Sequence, residues 1–354
     1  MSNQVFISRN LRHQSFLQRL FRQYPEENVI IEINNVLATH SILNITEEII
    51  KSITQKVSID VFNTYKLNFV EFYIVYLNNC LKKYIITDLQ VKELVHLKNL
   101  FHLDTDFVQK VYVDIAGSIY RKEYEQAIKN RFLTEEGKQY LSTLKTNLRL
   151  SDNLVFEIEN ESKMLIMQPY FNEILNLESL SPSKEKEFNQ IVNNLQILVP
   201  IEVSLEVYNL KKYWAWENGV IEKIEIAHKL QKEEVCYFAI SSNWYEFLAK
   251  SRYDTIKRYS IGQKISLSKS GLTFRSIFDL KFADSGFLYL TNKRIIFVGA
   301  KNHNIKFEQI ATVGIYNNGI EIIKGAGRNV FLDISEDSQK FAIIMQRIYT
   351  EKWS

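Results

Sequence analysis

The chain has 354 residues, 46% hydrophobic and 24% charged, with a formal net charge of +3, a balance that excludes disordered and fibrous classes. That length exceeds one comfortable core and predicts two or three domains, and only 4 Pro and 11 Gly leave no room for a long flexible linker. Cys80 and Cys236 are too few and too distant for a disulfide framework or a cysteine metal cage, so two buried thiols in a reducing compartment are expected.

Residues 1 to 64 read as a helical segment. Its start, "MSNQVFISRNLRHQSFLQRLFRQYPEEN", carries Arg9, Arg12, Arg19 and Arg22 among Phe and Leu but no apolar signal-peptide core. It reads as a helix that docks on its own domain, with a surface-seeking helix as the alternative. Apolar runs such as "FVEFYIVYL" are broken by charge and fall short of the roughly 20 residues that cross a bilayer. A cytoplasmic protein is expected, with peripheral attachment to the inner membrane face open to it.

From residue 65 to 203 a unit recurs at an offset of 47 residues. "ITDLQVKELVHLKNLFHLDTDFV" from Ile86 matches "LTEEGKQYLSTLKTNLRLSDNLV" from Leu133, and the next step reaches "LSPSKEKEFNQIVNNLQILVPI" from Leu180. Thr87, Thr134 and Ser181 align, each ahead of acidic or polar residues, as helix N-caps whose hydroxyls satisfy a free amide while the acids meet the positive helix end. Pro182 suits the first helical position. Leu94 and Leu97, Leu141 and Leu144, and Phe188 and Ile191 fall seven and ten positions after the caps and form one buried stripe per unit. "ITEEIIKSI" from Ile45 is a divergent fourth copy. Stacked helical hairpins follow.

This layout resembles the TerB-like helical domains of bacterial stress and defence operons. The resemblance implies a membrane-linked stress complex and acidic metal binding. The corresponding acids, Asp88, Glu135 and Glu136, stand where caps alone would put them, and "LDTDFV" from Leu103 lacks the glycine and closing glutamate of a calcium loop. No metal and no cofactor is expected.

Residues 204 to 231 read as a helical connector broken at Gly219, and 232 to 354 as a strand-rich domain. Strands are expected from "EEVCYFAIS" onward, then at 265–267, 272–276, 287–290, 295–298, 305–307, 313–316, 320–324 and 329–334. Asn317-Asn318-Gly319 and Gly325-Ala326-Gly327 supply tight turns, and Ser335 opens a last amphipathic helix. "GFLYLTNKRIIFVG" at 286–299 reads as a hairpin turning at Asn292 and Lys293. Gly, apolar strand, Thr-Asn-Lys-Arg and apolar strand, followed by "IATVGIYNNGIEII" and the helix, resemble bacterial pleckstrin-homology-like and GRAM-like domains. The resemblance implies a small antiparallel β-barrel closed by the helix, binding phospholipid or protein. The fold class is α+β.

The charge is uneven. From Lys250 to Lys306 twelve basic residues face three acids, so the window carries +9 and the remainder −6. Lys250, Arg252, Lys257, Arg258, Lys293 and Arg294 are its candidate anion-binding residues, against the alternative of a solvated basic surface. Trp244 and Tyr245 read either as filling a seam between the two halves or as interfacial anchors beside them. The six histidines share no zinc spacing, and the chain has no Walker loop, nucleophile elbow or dinucleotide fingerprint. The reading is a non-enzymatic recruitment protein with a protein partner or an anionic membrane surface. A nucleic-acid-associated protein using the same window is the rival.

Overall fold

The computed structural model describes residues 5–248, 256, 258–260, 263, 265, 273–277 and 280–353. They form two compact units, one of residues 1–170 with 191–197 and the other of 171–190 with 198–354. Residues 171–190 are tied to the rest of the second unit by the Leu180 amide, which donates to the Leu210 carbonyl at 3.0 Å.

The helices before the first strand are α1 (Phe16–Leu20), α2 (Asn28–Thr39), α3 (Glu47–Thr54), α4 (Val61–Thr64), α5 (Lys66–Leu81), α6 (Asp88–Leu100), α7 (Thr105–Ile128), α8 (Glu135–Asn147), α9 (Asp152–Leu175), α10 (Pro182–Leu195) and α11 (Ile201–Asn218). The sequence period is a capping period. Thr87 accepts from the Gln90 amide at 3.3 Å, Thr134 from Gly137 at 3.0 Å and Ser181 from Lys184 at 3.4 Å, so α6, α8 and α10 start alike. Thr46 caps α3 through Ile49 at 3.5 Å.

The same helices also stop alike. His102, Arg149 and Gln196, spaced by 47, hold φ of 52°, 49° and 51°. The next amides, of Leu103, Leu150 and Ile197, donate back to the carbonyls of Lys98, Lys145 and Val192 at 2.9, 3.1 and 3.0 Å. Each end is a Schellman motif, in which one left-handed residue lets the chain reverse and satisfy the last carbonyls. Leu94, Leu97, Leu141, Leu144 and Phe188 are buried, and Ile191 is half-buried. After α6 and α8 the chain enters long helices, α7 and α9, of 24 residues each.

In the second unit α11 ends at Asn218, where Gly219 caps it. A Cβ on Gly219 would meet the Ala215 carbonyl at 2.5 Å, so only glycine fits this cap. The expected helical connector, 204–231, is helical up to this break; after Gly219 the chain runs irregularly, and Ile224 forms an isolated bridge with Cys236. Then come β1 (Cys236–Phe247), β2 (Arg258–Ser260), β3 (Leu280–Thr291), β4 (Arg294–Val298), β5 (His303–Lys306), β6 (Ile310–Tyr316), β7 (Gly319–Lys324), β8 (Val330–Asp333) and α12 (Ser338–Trp353). All strand pairs are antiparallel, in one sheet of order β2-β6-β7-β8-β1-β3-β4-β5.

The sheet is open where a barrel was expected. Its two ends, β2 and β5, are three and four residues long and do not pair with each other. Two expected strands are also absent among the described residues. Ile265 and Thr273 to Ser276 lie outside strands because side chains satisfy their backbone: Gln346 accepts from the Ile265 amide at 3.1 Å, and Asn318 bonds both the amide and the carbonyl of Arg275, at 2.9 and 3.1 Å. Ser266, Leu267 and Leu272 lie outside the described residues. The other expected strands form. The β6–β7 hairpin turns at Asn317 and Asn318, and Gly327 takes the positive φ, 88°, of the β7–β8 turn. Helix α12 covers the sheet. Phe341, Ile344, Met345 and Ile348 are buried with Phe238, Leu288, Ile295, Ile320 and Leu332, each large apolar side chain contributing about 1.5–3 kcal/mol.

Candidate functional site

The Thr-Asn-Lys-Arg turn owes its composition to the segment that it fastens, residues 231–235 ahead of β1. The Thr291 hydroxyl accepts from the amides of Lys293 and Arg294, at 3.1 and 3.0 Å, which closes the turn. Asn292 exchanges backbone and side-chain bonds with Val235, at 3.0 and 2.9 Å, and donates to the Glu233 carbonyl at 3.0 Å. The Arg294 guanidinium grips the buried Glu234 carboxylate from two nitrogens, at 2.8 and 3.0 Å. Burial pushes that carboxyl up, and Arg294, the Gln231 amide and the Thr291 hydroxyl outweigh it, so the net shift is downward.

Lys293 differs from its neighbour. Its ammonium donates to the Lys232 carbonyl at 2.6 Å, a neutral partner that leaves the charge uncompensated. It lines a cavity of about 400 Å³ with Lys223, Tyr237, Asn292, Arg347 and Glu351. Arg347 is likewise held chiefly by a carbonyl, donating to Trp216 O at 2.7 Å, with Glu351 at a looser 3.7 Å. Three cations therefore meet one carboxylate, and the Lys293 and Arg347 donors are positioned by main-chain oxygens that do not neutralise them. Chemically, this arrangement suits an anion of headgroup or small-metabolite size.

Of the three candidate anion-binding residues that are described, Arg258, Lys293 and Arg294, the structure brings Lys293 alone into this site. Arg294 is committed to Glu234. Arg258 is committed to Glu321, whose side chain is fully buried, at 3.0 and 2.8 Å. Lys250, Arg252 and Lys257 lie outside the described residues. Arg275, also in the basic window, is buried, with its guanidinium 5.3 Å from the Phe247 ring centre.

Trp244 and Tyr245 are buried in the strand-rich unit, 3% and 8% exposed, so neither ring projects from the surface as an anchor. Trp244 stacks on His303 with centroids 4.6 Å apart, and Tyr245 meets Phe282 edge-on at 5.6 Å. Other histidines are structural: His96 bonds the Ile45 carbonyl at 2.7 Å and His102 stacks on Phe62 at 4.4 Å. Cys80 and Cys236 are free and buried, and burial pushes the Cys80 thiol up to about 12. Among the described residues, no three His, Cys, Asp or Glu side chains come together as a cation site, and no helix is long and apolar enough to cross a membrane.

Sequence reasoning missed Lys223 and Arg347. They come from the irregular segment after α11 and from α12, and no spacing links them to Lys293. Compared with known proteins, the chain matches no family model and no curated protein.

Proposed function

We propose that the chain is a non-enzymatic recruitment protein. Its strand-rich unit, read as a pleckstrin-homology-like domain, engages anionic phospholipid headgroups, and its TerB-like helical repeats serve as scaffold. One observation carries the reading: Lys223, Lys293 and Arg347 surround one cavity with their charge largely uncompensated. The antiparallel meander, the Thr-Asn-Lys-Arg hairpin and the helix over the sheet support the domain reading. The burial of Trp244 and Tyr245 favours headgroup capture over insertion of aromatic anchors.

Sedimentation of the full chain with anionic and neutral vesicles tests this, beside the same chain with a short DNA duplex. Wild type pellets with anionic vesicles and not with neutral ones. Each basic residue at the surface contributes about 1 kcal/mol, so Lys223→Ser with Lys293→Ser weakens binding about thirtyfold. Binding of the duplex without the vesicles would transfer the site to the nucleic-acid reading, and binding of neither would end both.

A further inference from the structure

A second polar cavity lies wholly within the helical unit, in the middle repeat. It measures about 380 Å³ and is bordered by Tyr120 and Tyr124 of α7, Lys138 and Lys145 of α8, and Glu159 and Lys163 of α9. Three features set it apart from an accidental gap between helices.

The first is an orphan donor. Tyr124 is 1% exposed, and its hydroxyl is buried without a hydrogen-bond partner. Leaving a buried hydroxyl unpaired is costly, and burial with the Glu159 charge raises its pKa, so it remains a donor. The second is an oriented acceptor. Tyr120 donates to Glu159 Oε1 at 2.7 Å, which fixes the carboxylate and leaves its other lone pairs for a ligand hydroxyl. The third is lysine charge. Lys138 and Lys145 border the cavity, each paired with an exposed carboxylate, Glu135 and Asp152, while Lys163 has no hydrogen bond or ion pair among the described residues.

We infer that this cavity binds a small phosphomonoester bearing a free hydroxyl, of sugar-phosphate or nucleoside-monophosphate size. A phosphomonoester carries roughly −1.5 to −2 at neutral pH, which Lys163 meets directly and Lys138 and Lys145 meet by exchanging their exposed carboxylate partners. Its oxygens take bonds from the lysines and from Tyr124, and its hydroxyl donates to Glu159. Two lining residues are tied together: Asn194 accepts from the Leu133 amide at 2.7 Å and donates to the Leu133 carbonyl at 3.2 Å. A volume of this order lies in the usual range for small-ligand sites.

Isothermal titration of the full chain with ribose 5-phosphate, adenosine 5′-monophosphate, inorganic phosphate and ribose decides the matter. At least one of the two esters binds with a dissociation constant below about 1 mM, tighter than inorganic phosphate, and ribose gives no heat. The better ester distinguishes the sugar phosphate from the nucleotide. Tyr124→Phe and Lys163→Ala each weaken it about tenfold or more, as expected for a hydrogen bond to a charged group. Both variants keep the wild-type melting temperature, since one removes an unpaired hydroxyl and the other an unpaired ammonium. The inference is overturned if neither ester binds, if inorganic phosphate binds as tightly as the esters, or if both variants bind like wild type.

Discussion

The two units are specified over different distances along the chain. In the helical unit each helix is started and stopped by neighbours: Thr134 caps through Gly137, three residues on, and Leu150 closes the same helix on Lys145, five residues back. In the strand-rich unit the decisive bonds join residues about sixty apart, Arg294 to Glu234 and Arg258 to Glu321. A locally specified array distributes its stability over many small increments. A sheet fastened by buried ion pairs concentrates it, because removing one partner leaves a charge with no solvent and no counterion.

The sharpest test of that contrast is Arg294→Ala. It strands the buried Glu234 carboxylate and is expected to cost about 3–5 kcal/mol in the strand-rich unit, measured by urea denaturation followed through the buried Trp244 fluorescence. The pH dependence follows the same pair. The folded pKa of Glu234 lies below its unfolded value. Its contribution is therefore full above the unfolded carboxylate range and is lost as pH falls through the depressed folded value. Wild type loses stability over that acid window, and Arg294→Ala flattens the dependence. A loss no greater than that of a single helix cap would show that the ion pair carries no special weight, and the contrast would fall.

The same distance dependence explains what was legible in the sequence. The caps Thr87, Thr134 and Ser181 could be read because cap, acid and apolar stripe lie within ten residues of one another. Their counterpart at the helix ends escaped reading: His102, Arg149 and Gln196 occupy a backbone conformation that favours glycine, yet none is glycine. The β3–β4 hairpin was legible from its turn, but its partners 231–235 were not, since nothing in the Thr-Asn-Lys-Arg run announces what it fastens. The basic window misled for the opposite reason. Sequence counts charge without counterions, and Arg258 and Arg294 have theirs on distant strands and loops, whereas Lys223 and Arg347 sit outside the window altogether. The barrel expectation failed at the edges, where two short strands end the sheet.

A cap substitution supplies the contrasting, smaller effect. Thr134→Ala removes the hydroxyl that accepts from Gly137 and is expected to cost about 1 kcal/mol, with Thr87→Ala costing about the same because the two caps are equivalent. The two losses add, as they do for sites without shared partners. Thermal denaturation followed by the helical circular-dichroism signal measures both. A loss at Thr134 as large as that at Arg294 would mean that the array is as concentrated as the sheet.

The smallest expected effect has the opposite sign. A left-handed backbone costs an ordinary L-residue roughly 1–2 kcal/mol, and glycine escapes that while surrendering about 0.5–1 kcal/mol of conformational entropy on folding. Gln196→Gly is therefore expected to stabilise the chain by about 0.5–1 kcal/mol, the difference between the two. The other two positions have additional work: Arg149 pairs with Asp88, and the His102 ring stacks on Phe62 at 4.4 Å. Arg149→Gly and His102→Gly gain less, or lose, because the relief at the backbone is offset by the side chain's removal. Chemical denaturation of the three variants in parallel ranks them. If Gln196→Gly destabilises, the Schellman closure at Ile197 depends on the glutamine side chain, and the three helix ends are alike in conformation but not in what holds them.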